Sequence, residues 1–119
     1  MMKALLYCQD EKSQDYPALL AYLRDVRNYD VTTLFGSGRL NEAHRVAIIQ
    51  EVRDAELVFM LLHHDAVATD PGLAYFMGVV TSLERPAYVV SSAPEGQWSS
   101  ILLGQNVRYL PVPTAKRVA

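Results

Sequence analysis

The chain has 119 residues, half of them apolar and a fifth charged, with a formal charge of -2 and one cysteine. That length suits one domain with one core. The weak negative charge, without a basic block, argues against nucleic-acid or membrane-surface binding, and a lone Cys8 excludes an internal disulfide and fits a reducing cytosol. No apolar run reaches membrane-spanning length, and Met1-Met2-Lys3 leads into the first apolar run with no cleavage pattern. A cytoplasmic protein is expected.

Residues 3–8 form a short apolar strand, left through the polar Gln9-Asp10-Glu11-Lys12. Asp15 is placed to cap a helix with Pro17 in its first turn. Tyr16, Leu19, Leu20, Leu23 and Val26 then follow helical spacing. Residues 29–35 read as a second strand, in which Val31, Thr32 and Thr33 favour the pleat. Gly36-Ser37-Gly38 breaks it, and is too short for a phosphate-loop signature. Asn41 caps a second helix running to about Ala55, with Val46, Ile48, Ile49 and Val52 as its apolar face.

Residues 54–90 organise the rest. The apolar run 57–62 suits a strand buried on both faces. His63-His64-Asp65 comes next, and Asp70-Pro71-Gly72 opens a helix, the aspartate as N-cap and the proline at the first helical position. That helix is apolar nearly all round, with Ala74, Gly78 and Ser82 as a small-residue stripe. A strand follows Pro86. Residues 91–96 read as a loop, 97–103 as a short helix stopped by Gly104, and 106–112 as a last strand. The domain spans 1–113 and residues 114–119 form a polar tail.

The βαβαβαβαβ order predicts an α/β three-layer sandwich of flavodoxin-like or Rossmann-like type. Its five-stranded parallel sheet should carry helices on both faces. Ligands in such folds bind beyond the carboxyl ends of strands, so residues 63–72 are where function is sought. The outer face of the 73–80 helix needs cover, and a homodimer through that helix is expected, with a charge at Val79 or Val80 dissociating it; the alternative is that the short helix 97–103 folds over this face within one chain.

Asp70, Gly72, Ala74, Gly78, Leu83 and Pro86 match an Asp-x-Gly-x-Ala-x-Glu-x-Gly, Leu, Pro pattern. It resembles that of the nucleoside 2-deoxyribosyltransferases and the related deoxynucleoside 5'-phosphate N-hydrolases. Asp54-Ala55-Glu56-Leu57-Val58 resembles that family's approach to its third strand. Tyr7 stands where the family often has a tyrosine. Residues 99–104 are similar to the serine-bearing segment with which the hydrolases hold a 5'-phosphate. The resemblance implies a nucleotide or nucleoside site, and a dimer in which a partner chain helps to close it. The departures are informative. The family's nucleophilic glutamate falls on Phe76, and a further hydrolase aspartate falls near Ile48. A phenyl ring cannot capture an anomeric carbon.

The expected ligand-binding residues are therefore Tyr7, Gln9, His63, His64, Asp65, Asp70, Gly72, Ser99 and Ser100. Asp70 is either a sugar contact or a plain cap. The histidines point opposite ways on an extended segment, so a shared metal is not expected, nor is any cofactor. The serines are either a phosphate cradle or a plain turn. Trp98 is a stacking or packing residue. The preferred function is binding of a nucleotide or nucleoside derivative without glycosidase turnover. One alternative is an active N-glycosidase with a displaced carboxylate from Asp65, Asp10 or Glu11. Another is a receiver-like or Toll/interleukin-1-receptor-like interaction module.

Overall fold

The computed structural model describes residues 1–10, 12–36, 41–63, 71–91 and 107–111. The strands are β1 (Lys3–Cys8), β2 (Asp30–Phe35), β3 (Leu57–Leu61), β4 (Ala87–Ser91) and β5 (Val107–Pro111). The helices are α1 (Asp15–Ala21), continued by a π-helical turn (Tyr22–Val26), α2 (Glu42–Asp54) and α3 (Pro71–Ser82). All strand pairings are parallel, in the order β2-β1-β3-β4-β5. The protein is a flavodoxin-like α/β sandwich.

Side-chain alternation along β1 divides the core in two. Leu5 and Tyr7 join Ile48 and Val52 of α2 and Leu73, Phe76, Met77 and Val80 of α3. Ala4, Leu6 and Cys8 join Leu19 of α1 and Leu23 of the π turn on the other face. Every residue of β1 after Lys3 is buried, which explains why an almost uninterrupted apolar run, rather than an alternating one, marks this strand.

Local chemistry sets the element ends. Asn41 caps α2 as expected, its side chain accepting from the His44 N–H at 2.8 Å. Asn41→Ala should cost about 1 kcal/mol, read as a lower urea midpoint with an unchanged slope. The other end of α2 is closed from a distance. Arg85 donates to the carbonyls of Val52 (3.3 Å) and Arg53 (2.9 Å) in the last turn, where helix carbonyls lack regular partners; the Val52 carbonyl also accepts from the Ala55 N–H at 3.3 Å.

Several expectations are corrected. Asp15 is the first residue of α1 rather than its cap; Gln14 holds the cap position without a side-chain bond, and the Ser13 hydroxyl accepts from the Asp15 N–H at 3.2 Å. Val26 is 54% exposed although it falls on the apolar stripe. The i→i−5 bond from the Arg27 N–H to the Tyr22 carbonyl adds a residue to the turn and rotates its last side chains off the buried face. Tyr29 precedes β2 instead of opening it. Val46 is exposed, so the α2 face is narrower than its sequence suggests. Ser91 ends β4 and is buried, and β5 is one residue shorter at each end than expected. On α3, Val80 faces the core, while Ala74, Gly78 and Ser82 are exposed. The expected helix 97–103 and the tail 114–119 lie outside the described residues.

Candidate functional site

In a sheet of this order the chain leaves β1 toward one side and β3 toward the other, which opens a crevice at their carboxyl ends. Gln9 follows β1 and His63 lies just beyond β3. The Gln9 N–H donates to the Leu61 carbonyl at 3.0 Å. The Gln9 side-chain oxygen accepts from the His63 N–H at 2.7 Å. The two residues therefore bridge the switch point, where the Gln9 side chain holds the His63 backbone. Among the described residues, the buried Nε2 of His63 has no hydrogen-bond partner. Leaving such an atom unsatisfied costs about 1–3 kcal/mol.

Tyr7 lies below the bridge and is 1% exposed. Its ring packs on Phe76 with centroids 4.5 Å apart. Gly36, which follows β2, completes this corner. A Cβ built there would stand 2.9 Å from the Tyr7 hydroxyl and 3.1 Å from the Gln9 carbonyl. Gly36 is thus required by space, where the sequence suggested only a turn. Nothing in the one-dimensional pattern signals that approach, because it depends on β1 and β2 lying side by side.

Phe76 is fully buried, and so is Ile48. Both positions at which the resemblance would place carboxylates belong to the core cluster between the sheet and α2/α3. Gly72 is buried in the first turn of α3. Gln9 and His63 are joined by a hydrogen bond, and Tyr7 is a core aromatic packed on Phe76; His64, Asp65, Asp70, Ser99 and Ser100, with Trp98, lie outside the described residues. Of the carboxylates considered for displaced catalysis, Asp10 accepts from the Lys12 N–H at 2.9 Å and is exposed. Asp65 and Glu11 are outside the described residues.

Cys8 is buried at the end of β1, its thiol donating to the Asp10 carbonyl at 3.0 Å. Burial pushes its pKa up, a change that the hydrogen bond opposes and the nearby Asp10 charge reinforces. It stays a thiol at neutral pH and is a poor nucleophile. Among the described residues no cluster of three or more His, Cys, Asp or Glu side chains could hold a metal ion. No helix among them is long and apolar enough to cross a membrane.

No protein-family model and no curated protein matches the chain. Among solved structures it is similar to a de novo designed Rossmann 2x3 fold protein determined by solution NMR. The likeness has a TM-score of 0.57 at 16% identity, over 99% of this chain and 83% of that one. It is a likeness of fold.

Proposed function

We propose that the protein binds a nucleotide or nucleoside derivative at the carboxyl ends of β1 and β3 and does not cleave it. The observation that carries this reading is the Gln9–His63 bridge at the switch point, with the buried His63 Nε2 awaiting a partner. Such a crevice is the habitual ligand position in open parallel sheets. The Asp70-to-Pro86 pattern supplies the ligand class by resemblance. Phe76 and Ile48, apolar and buried, leave no carboxylate at the two matching positions, and N-glycosidic cleavage needs one to stabilise the oxocarbenium-like sugar. The reduced, buried Cys8 suits the cytoplasm, where we place the protein.

A thermal-shift panel of deoxynucleoside monophosphates and nucleosides tests this. A true ligand at a hundred times its dissociation constant should add about 2.7 kcal/mol of stability. His63→Ala should remove most of that gain, because the freed ligand group loses its partner in a buried setting. No shift with any member of the panel would refute binding. Release of free base, abolished by Asp70→Ala, would refute the absence of turnover.

We also propose that two copies pair through the outer face of α3. Ala74, Gly78 and Ser82 leave a trough on that face, flanked by Tyr75, Val79, Leu83 and Ile49 of α2, about 540 Å³ in volume. Pro71 to Leu83 carries no charge. Among the described residues, a Cβ at Gly78 would meet nothing within 4 Å, so none of them gives a packing reason for a glycine that weakens a helix by about 1 kcal/mol. Light scattering at micromolar concentration should give a dimer for the wild type and a folded monomer for Gly78→Glu. A monomeric wild type would end this proposal. Val80, which faces the core, cannot report on it.

A further inference from the structure

The second face of the sheet carries a separate concavity. α1 and its π turn cover β1, and beside them a groove of about 280 Å³ opens over β3, β4 and β5. Its floor is aromatic. Phe59 and Tyr88 stack at 5.2 Å with 20° between their planes, and Tyr29 packs on Phe59 at 6.0 Å. Tyr22 and Leu110 complete the walls. The π turn has a part in this geometry, since its i→i−5 bond joins Tyr22 to Arg27 and both side chains line the groove.

The polar groups at the rim have one sign. The Arg27 guanidinium lies 5.7 Å over the Tyr29 ring and donates to its hydroxyl at 3.2 Å. That hydroxyl, as acceptor of the arginine bond, keeps its own O–H to give, and the guanidinium keeps further N–H donors. Arg108 pairs in register with Tyr88 and so stands on the same face of the sheet. Among the described residues, no carboxylate lines the groove. Aromatic side chains that line a groove offer a planar ring edge-to-face and offset contacts, and the donors at its rim hold an oxyanion.

We infer that this groove is a second binding site, for a small planar aromatic anion, with its ring packed between Tyr22, Tyr88 and Leu110 and its oxyanion held by Arg27 and the Tyr29 hydroxyl. The site shares no residue with the Gln9–His63 crevice, so it stands or falls independently of the ligand proposed there.

The probe is 1-naphthoate, titrated into isotope-labelled protein and followed by amide NMR shifts. Saturable shifts should centre on Arg27, Tyr88 and Leu110. Arg27→Gln, at an exposed position where the fold should survive, should weaken naphthoate binding about tenfold or more, as loss of a charge-assisted hydrogen bond does. Tyr29→Phe should weaken it less. Naphthalene-1-methanol, with the same ring and no charge, should bind the wild type and Arg27→Gln equally. Three results would overturn the inference: no saturable shifts up to about 10 mM, where even a weak site is half filled; shifts centred on Gln9 and His63; or naphthoate binding that Arg27→Gln leaves unchanged.

Discussion

Phe76→Glu should destabilise the protein by at least about 4 kcal/mol at pH 7 and create no glycosidase. Phe76 is fully buried, packed at a tilt on Tyr7 and enclosed by the α2/α3 core. The exchange removes the phenyl contacts and asks the core to hold a carboxyl group. Removing a buried phenylalanine side chain alone costs about 3–5 kcal/mol, a large part of a total stability of about 5–15 kcal/mol. Desolvation raises the folded-state pKa of the new carboxyl above its unfolded value, about 4.3. Relative to its neutral-pH state, the variant therefore regains stability below that value and loses it as pH rises through the raised folded-state pKa. Phe76→Leu, which keeps an apolar group of similar size, should cost about 1.5 kcal/mol or less with no such pH dependence. Urea unfolding at pH 4 and pH 7 separates the two. A Phe76→Glu protein as stable as the wild type at pH 7 would show that position 76 reaches water, and would reopen the case for catalysis there.

Gly36→Ala is the second large effect, expected at about 1–3 kcal/mol. Its Cβ would press on the Tyr7 hydroxyl at 2.9 Å and on the Gln9 carbonyl at 3.1 Å. Neither can retreat freely. The tyrosine ring is held against Phe76, and the Gln9 backbone is held by Leu61. The strain should reach the crevice, because Gln9 also orients His63. Ligand affinity should fall along with stability. A double-mutant cycle with Tyr7→Phe isolates the cause. Without the hydroxyl, Gly36→Ala should cost less, and the remainder measures the contact with the Gln9 carbonyl. A purely additive cycle would mean that the Tyr7 hydroxyl has no share in the effect.

Much of this fold is legible along the chain. The apolar runs at residues 3–8 and 57–62 are strands because only a doubly covered strand tolerates such a run. Asn41 and Pro71 mark helix starts because each suits the unpaired N–H groups there, one by accepting and the other by lacking a donor. On α3, apolar nearly all round in sequence, the pattern leaves open which side is buried, and the structure buries Leu73, Phe76, Met77 and Val80. Gln9 and His63 stand out as candidate site residues because each is the first polar side chain beyond a buried strand. Legibility fails where local pattern and local geometry part. Val26 fits a 3.6-residue period that the π turn abandons. Asp15 satisfies the N-cap pattern, yet the helix starts on it because Ser13 accepts from its N–H.

The sequence by itself thus determined the alternation of strands and helices, the apolar character of α3 and the absence of a carboxylate at position 76. Those are matters of period, side-chain chemistry and identity, and they are written residue by residue. Only the tertiary structure decided that β1 lies between β2 and β3. That order brings Gln9 to His63 across 54 positions of chain, sets Gly36 against Tyr7 and places Phe76 under the tyrosine ring. Hydrophobic pattern states which side chains leave water but not which distant ones they meet, because burial is non-directional. Partners are chosen when strands pair and helices close over them.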